Sequence, residues 1–251
     1  MRQYMLEVCA DSVESAIAAQ KGGADRIELC SNLVIGGVTP GRALFGLVRK
    51  YTDIKIHVLL RPRYGDYCYN TYEFEQLKEE VQMYKEMKAE GIVIGMLNAD
   101  GSLDTYRMKE LVKTAGNMKI VLHRAFDVCV NPMAAMEQAI AIGMDTILTS
   151  GQQDSAWRGK ELLKELYKQS KGRIEILAAG GIDAGVMERL IPYTGISAYH
   201  MSGKIEKDSV MTFRKPETKE EDFQRDEYTL WQASEEKISQ AVQSLAARRS
   251  N

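Results

Sequence analysis

An alternation of short apolar segments with amphipathic segments runs through the whole chain and restricts its fold more than any other feature. Eight segments have the composition of buried parallel strands, and a segment with helical periodicity follows each of them. Eight such units, with no break in composition between them, predict an α/β fold, a single (β/α)8 TIM-type barrel domain over residues 1–251. The predicted strands are residues 4–9, 25–30, 55–62, 91–97, 119–127, 145–150, 173–181 and 195–203.

A doubly wound open sheet is the competing architecture, but it usually has fewer strands and one glycine-rich nucleotide-binding turn. Neither GxGxxG nor GxxxxGK[ST] occurs in the chain, so no organic cofactor is indicated. One long stretch, residues 204–232, is charged and contains proline. It is predicted to be an irregular lid or interface segment before the C-terminal helix.

The charge balance and the cysteine content restrict the partners and the compartment. A net charge of -2 and a pI near 6.0 argue against a nucleic-acid or membrane-surface binder. The N-terminal sequence MRQYMLEVCADS does not have the pattern of a signal peptide, and we expect a cytoplasmic protein. The four cysteines form no CxxC pair, so reduced thiols are expected rather than disulfides or structural zinc.

Polar side chains follow several of the predicted strands, at the end where the active sites of (β/α)8 barrels lie. The fifth strand, KIVLHRAFD, changes from apolar residues to His123, Arg124 and Asp127. Charged groups at the end of a buried strand need water, a ligand or opposite charges around them. The C-terminal end of the barrel is therefore the predicted functional face.

The first two strands carry the same local pattern, Glu-x-Cys, formed by Glu7 with Cys9 and by Glu28 with Cys30. Side chains alternate along a strand, so each glutamate shares a face with its cysteine. We expect this face to point into the barrel, because the aliphatic residues of the other face suit packing against helices. In register, the two pairs would be direct neighbours.

Two buried carboxylates this close need a cation, or one of them must stay protonated. Arg61 is the expected cation, and His123 is the second choice. One interpretation is a catalytic site, with Glu7 or Glu28 as acid or base, His123 as partner, Arg61 as anion anchor and Asp127 beside them. The alternative is a structural layer of polar side chains inside the barrel, whose charges and hydrogen bonds are satisfied by one another.

The two thiols and the last two strands suggest separate ligands. Neighbouring thiolates of Cys9 and Cys30 would suit a soft ion such as Cu(I), although buried cysteines are often small apolar fillers. Glycines after the last two strands expose backbone N–H groups, and loops at this position often bind phosphate. The predicted anion-binding residues are Arg61, Gly180, Gly181, Ser202 and Lys204.

Taken together, several stretches of the chain resemble the CutC family of copper homeostasis proteins. They extend in order from Met5 to Arg214 and comprise LEVCADSVESAIAAQKGGADRIELCSNL, GGVTP, RPRYGDYCY, LHRAFD, LTSG, AAGGI and the FR of MTFRKP. The resemblance implies a cytoplasmic TIM-barrel protein associated with copper and capable of self-association. The chain departs from the family pattern at Gly41, Tyr64 and Leu122, none of which is a predicted site residue.

Two hypotheses remain open at this point. The first is a copper homeostasis protein that binds Cu(I) through Cys9 and Cys30. The second is a metal-independent barrel enzyme that acts on a small anionic or phosphorylated metabolite. A third, an interaction role for the segment after residue 203, would require a stable partner.

Overall fold

Eight parallel strands, paired in chain order, close on themselves to form a barrel in the computed structural model, which describes residues 4–214 and 227–247. The first strand pairs with the eighth, with Glu7 opposite His200, and this pairing closes the ring. The predicted (β/α)8 barrel is confirmed. The barrel strands are β1 (Met5–Ala10), β2 (Arg26–Leu29), β3 (Lys55–Leu59), β4 (Gly91–Ile94), β5 (Lys119–Leu122), β6 (Thr146–Thr149), β7 (Glu175–Ala178) and β8 (Ala198–Met201).

Helices follow the strands on the outside of the barrel. They are α1 (Val13–Lys21), α2 (Arg42–Tyr51), α3 (Thr71–Glu86), α4 (Thr105–Ala115), α5 (Pro132–Ala141), α6 (Lys160–Ser170), α7 (Ala184–Thr194) and α8 (Glu235–Ala247). Two 3-10 helices, Leu33–Ile35 and Arg124–Val128, lie in the loops after β2 and β5. None of the helices in the described ranges combines the length and the apolar character needed to cross a membrane.

Polar N-cap residues explain where most of these helices begin. The side chains of Ser12, Asp104 and Asp183 each accept a hydrogen bond from a backbone N–H of the first turn. Although the Thr39-Pro40 pair has the pattern of an N-cap followed by a first-turn proline, Thr39 does not cap α2, which begins at Arg42. The Thr39 hydroxyl instead accepts the backbone N–H of Arg61, which ties the loop before α2 to the end of β3.

The two faces of the barrel strands pack against different partners. The outward face carries aliphatic residues that join the helices in one large core, among them Leu6, Val8, Ile27 and Leu29. A smaller apolar cluster fills the barrel interior and contains Cys30, Leu59, Val93, Val121, Leu148, Leu177, Ala179 and Ala198. By alternation, Glu7, Cys9 and Glu28 share the inward face, as the Glu-x-Cys pattern predicts.

The segment predicted to be irregular, residues 204–232, contains strands at both of its described ends. β9 (Lys204–Asp208) and β10 (Thr229–Ala233) form an antiparallel ribbon, and residues 215–226 lie outside the described residues. The backbone N–H of Ala233 donates to the Ser15 hydroxyl, which attaches the ribbon to α1. The prediction is wrong here because every residue of β9 is exposed, so its sequence, KIEKD, shows no apolar alternation.

The fifth predicted strand is shorter than its sequence pattern indicates. β5 ends at Leu122, and the chain turns into a 3-10 helix whose N-cap is His123. The His123 Nδ1 accepts the backbone N–H of Ala125 at 3.1 Å, which ends the extended backbone at this point. Asp127 therefore lies one turn beyond the strand rather than at its end.

Gly91 shows how closely the barrel interior is packed. A Cβ at this position would lie 2.7 Å from the Cδ2 of His57 and 2.8 Å from the carbonyl oxygen of Lys119. We expect Gly91→Ala to lower the free energy of unfolding by about 1–3 kcal/mol, the usual cost of overpacking a core. Urea unfolding followed by circular dichroism measures this change.

Gly46→Ala provides a matched control, because Gly46 is exposed within α2 and a Cβ there meets no atom within 4 Å. The free energy of unfolding of this variant should rise by about 0.5–1 kcal/mol, because alanine is more favourable than glycine within a helix. Equal stabilities for the two variants would show that both the His57 ring and the Lys119 carbonyl group accommodate the added methyl group without cost.

Candidate functional site

A buried carboxylate with three basic neighbours lies in the interior of the barrel. Glu7 is 1% exposed, and its Oε2 accepts a hydrogen bond from the Nε of Arg26. The Nδ1 of His200 lies 2.7 Å from Oε1, and the Nδ1 of His57 lies 3.8 Å from Oε2. Glu28 joins this cluster through His200, whose Nε2 is 3.5 Å from its Oε2.

The strand register explains which cations meet Glu7. Glu7 lies opposite Arg26 of β2 and opposite His200 of β8, so it stands between two basic residues on neighbouring strands. The two Glu-x-Cys pairs are not in register, because Glu28 lies opposite Cys9 instead of Glu7. Neighbouring strands of a closed barrel are staggered, and a local sequence pattern does not contain that stagger.

The cations expected for the carboxylates, Arg61 and His123, are therefore replaced by Arg26 and His200. Strand alternation could have assigned both residues to the inward face, although not to Glu7 in particular. Arg26 lies two residues before Glu28 on the same face, and His200 lies two residues before Ser202 at the end of β8.

The charges of this cluster are strongly coupled. Burial raises the pKa of Glu7, but the Arg26 guanidinium and His200 outweigh it and bring that pKa well below its usual range. Burial raises the pKa of Glu28 to about 7, although the charge of His200 opposes the shift. Burial alone would lower the pKa of His200, but hydrogen bonds to Cys9 and Glu7 and the Glu28 charge raise it well above the usual value.

Glu7, Glu28 and His200 could in principle hold a cation, because each offers a ligand atom within 4.8 Å of the others. Two oxygens and one imidazole suit a borderline divalent metal better than Cu(I). The Arg26 guanidinium already binds Glu7, so a metal would have to compete with a buried ion pair. The charges of the cluster are largely balanced as it stands, although the Nη2 of Arg26 and the Nδ1 of His57 have no hydrogen-bond partner among the described residues.

The predicted thiol pair lies next to this ion cluster. Cys9 is hydrogen-bonded to His200, and it lines a small pocket with Asp11, Ser202, Lys204 and Trp231. All four cysteines of the chain are reduced, and Cys9, Cys30 and Cys129 are buried. The Sγ of Cys30 donates a weak hydrogen bond to the carbonyl oxygen of Ala10, at 3.7 Å.

Burial raises the pKa of the Cys30 thiol well above its usual value, and the nearby Cys9, Glu28 and Asp11 add to the shift. Strand alternation places Cys9 on the inward face at the end of β1, and Cys30 belongs to the apolar cluster inside the barrel at the end of β2.

The other predicted catalytic residues lie apart from this cluster. Arg61 donates to the carbonyl oxygens of Gly37 at 3.1 Å and Gly65 at 3.0 Å, in the loops after β2 and β3. His123 is buried near Arg61, and burial together with the Arg61 charge lowers its pKa to about 3. Neither is an observed partner of Glu7 or Glu28 among the described contacts.

The contacts of the Asp127 carboxylate indicate a structural role. Its carboxylate accepts hydrogen bonds from the Thr149 hydroxyl and from the backbone N–H groups of Ser150 and Gln152, and it pairs with Arg124 at 2.7 Å. These contacts fasten the 3-10 helix after β5 to the end of β6. With both oxygens engaged, the carboxylate is poorly suited to proton transfer.

The structure divides the predicted anion-binding residues among three places. Arg61 lies in the loops after β2 and β3, whereas Gly180 and Gly181 turn the chain after β7, next to Ser155. Ser202 and Lys204 line the small pocket beside Cys9. The Lys204 ammonium lies 3.2 Å from the ring centroid of Trp231, so it packs on the ribbon.

The fold and the site together define a class of protein. It is a (β/α)8 barrel whose interior holds a buried ion cluster and two reduced thiols at the ends of β1, β2 and β8. The CutC family model matches residues 4–205, which include all of these elements. The chain belongs to the CutC family, as its sequence pattern predicts.

Relatives of the chain cover nearly all of it. A protein named CutC from Vibrio cholerae serotype O1 is 39% identical over 247 residues, which are 98% of this chain and 97% of the relative. The human copper homeostasis protein cutC homolog is 40% identical over 84% of this chain and 77% of its own length. The crystal structure of CutC from Streptococcus agalactiae has a TM-score of 0.76 at 27% identity, covering 80% of this chain and 99% of that protein.

The raised pKa of Glu28 predicts a specific pH dependence of stability. The folded-state pKa of about 7 exceeds the ordinary value of 4.5, so folded Glu28 keeps a proton that the unfolded chain loses. The stabilisation is complete below pH 4.5 and is lost as the pH rises through about 7. In Glu28→Gln, which mimics the protonated carboxyl, this loss should disappear.

Urea unfolding at a series of pH values measures the difference in unfolding free energy between the parent and Glu28→Gln. This difference should fall by up to about 1.4 kcal/mol per pH unit within that window. Glu137→Gln, at the surface against Arg173, is the control and should give a flat difference between pH 5 and 8. If the unfolding free energies of the parent and Glu28→Gln vary with pH in parallel, the folded protein does not raise the pKa of Glu28.

Proposed function

We propose that this chain is a cytoplasmic copper homeostasis protein that binds Cu(I) through the thiolates of Cys9 and Cys30. The observation that carries the proposal is the placement of two reduced, buried cysteines on neighbouring strands at the C-terminal end of the barrel. The name of the human relative, a copper homeostasis protein, supports the same function. Copper is the cargo of such a protein rather than a resident cofactor.

The chemistry of the donors fits this cargo. Thiolates are soft ligands that prefer Cu(I) to hard cations. Cys30 interacts with Cys9 through space, and the weak 3.7 Å contact of its sulfur with the Ala10 carbonyl can be given up at low cost. Cys9, one of the two cysteines, lines a small pocket.

The neighbouring charges suit a bound ion as well. A Cu(I) ion that replaces the protons of two neutral thiols leaves one net negative charge in a buried site. The high pKa of His200 keeps this imidazole positively charged, and its hydrogen bond to Cys9 places that charge beside the sulfur. His200 would thus compensate the bound dithiolate without acting as a ligand.

An anaerobic Cu(I) titration against a competing chelator tests the thiol site. Residues that only hydrogen-bond to metal ligands already contribute about 10–100-fold to metal affinity. Removal of both ligands, by Cys9→Ser combined with Cys30→Ser, should therefore weaken Cu(I) binding by more than about 100-fold. Cys68→Ser, at an exposed cysteine, is the matched control and should bind like the parent. The parent's affinity should rise with pH, because both thiols lose their protons on binding.

X-ray absorption at the copper edge provides a second measurement that does not depend on the folding of a variant. The parent should show two sulfur scatterers at the metal. Copper surrounded by oxygen and nitrogen alone, or unchanged affinity in the double variant, would exclude Cys9 and Cys30 as the site.

A second candidate function is proton-transfer catalysis on a small anionic or phosphorylated metabolite. One observation favours it: Glu28, with a pKa of about 7, lies beside the cationic His200 inside the barrel. A carboxyl group with a pKa near the working pH can both accept and donate a proton. Structural ion clusters also shift pKa values, which makes this the weaker of the two candidates.

Deuterium uptake from D2O into a panel of carboxylate and phosphorylated metabolites, followed by mass spectrometry, tests this candidate. The parent should label at least one compound, and Glu28→Gln should abolish the labelling, because the amide cannot exchange a proton in this way. Glu137→Gln should label like the parent. Equal labelling by Glu28→Gln and the parent would rule out Glu28 as the acid–base group.

A further inference from the structure

A second cluster of buried polar groups lies around the ends of β3 and β5, apart from the ion cluster at Glu7. It contains Arg61, Tyr69 and His123, which are 8%, 4% and 3% exposed. Among the described residues, the Nε of Arg61, the hydroxyl of Tyr69 and the Nε2 of His123 have no hydrogen-bond partner. An unpaired buried polar atom costs about 1–3 kcal/mol, so three of them in one region indicate a ligand.

All three atoms are hydrogen-bond donors. The Nδ1 of His123 accepts the backbone N–H of Ala125, which leaves the proton of the neutral imidazole on Nε2. The low pKa of about 3 keeps this ring neutral. Burial raises the pKa of Tyr69, so its phenol keeps its proton, and Arg61 is permanently charged. The matching ligand group must therefore be an acceptor.

The charge of Arg61 indicates that the acceptor is an anion. Its terminal nitrogens donate to backbone carbonyl oxygens, chiefly those of Gly37 and Gly65, and it forms no ion pair with a carboxylate in the described ranges. Carbonyl dipoles orient a guanidinium but do not neutralise it. A buried charge without a counter-ion is costly, and an anionic ligand would supply one.

Tyr67 connects the members of the cluster. Its ring centroid lies 5.1 Å from the Cζ of Arg61 and 4.9 Å from the ring centroid of His123. The Arg61 charge also lowers the pKa values of His123 and Tyr69, although burial has the larger effect on each group. Arg61 is therefore close enough to His123 and to Tyr69 to act on both of them.

The surrounding backbone holds the cluster in place. A Cβ on Gly95 would lie 2.5 Å from the His123 ring, so glycine allows the imidazole to approach the end of β4. Arg63 binds Glu73 at 2.6 Å and Asp66 at 2.9 Å, which braces the loop that carries Tyr67 and Tyr69. Donors held in this way lose little freedom when a ligand binds.

We propose that Arg61, Tyr69 and His123 bind the carboxylate group of a small monoanionic molecule. One positive charge and two neutral donors match a single negative charge with two acceptor oxygens. A phosphate monoester carries about -1.5 to -2 charges at neutral pH and would leave excess negative charge in the site. The proposal goes beyond copper binding and does not depend on Cys9 or Cys30.

Titration of the copper-free protein with acetate, and separately with inorganic phosphate, tests this site. Binding is followed by NMR at the Nε–H of Arg61 and the Nε2–H of His123, at constant ionic strength with chloride as the counter-ion. We expect saturable shifts of both signals with acetate. The Cys9→Ser, Cys30→Ser double variant should bind acetate like the parent, which separates this test from that of the copper site.

Variants assign the binding to the three donors. Tyr69→Phe removes one hydroxyl and should weaken acetate binding by about tenfold or more, the usual effect of losing a hydrogen bond to a charged group. Arg61→Lys keeps the charge but loses the Nε donor and should have a similar effect. The controls are Tyr84→Phe and Arg49→Lys, whose polar groups bind Pro40 and Glu90 elsewhere.

Three results would overturn the proposal. The first is the absence of saturable acetate shifts in the parent. The second is unchanged acetate affinity in Tyr69→Phe. This variant retains the charge of the site, so its result decides the matter even if Arg61→Lys does not fold. The third is tighter binding of phosphate than of acetate, which would contradict the assignment to a carboxylate.

Discussion

The ion pair between Glu7 and Arg26 is the interaction on which the interior of this barrel depends. Glu7 is on the strand that closes the ring, and its carboxylate contacts the neighbouring strand on either side through Arg26 and His200. A buried charge of this kind is tolerated only when opposite charges and hydrogen bonds surround it. The same contacts therefore link the closure of the barrel to the protonation of His200 and Glu28.

This electrostatic arrangement gives the two thiols unlike surroundings. Cys9 has a cationic imidazole as its hydrogen-bond partner, whereas Cys30 is enclosed among apolar residues with a carboxyl group nearby. A single ion bound to both sulfurs would therefore have unlike surroundings on its two sides.

Local patterns in the sequence are sufficient for the barrel and for its inward face. Strand alternation correctly assigns Glu7 and Glu28 to the interior, because that property depends on neighbouring residues within one strand. The cations Arg26 and His200 could not be paired with Glu7 in this way, since the stagger between strands is a property of the closed ring. The ribbon cannot be predicted for another reason, because its exposed strand β9 has no buried face to produce alternation.

The three histidines of the chain have different electrostatic surroundings, and this has a consequence for how the protein responds to acidity. His57 and His123 have pKa values of about 4 and about 3, chiefly because they are buried, whereas that of His200 lies well above the usual value. None of these imidazoles changes its charge near neutrality. Glu28 does so instead, with a pKa of about 7, so near neutrality the charge of the barrel interior changes at a carboxyl group and not at an imidazole.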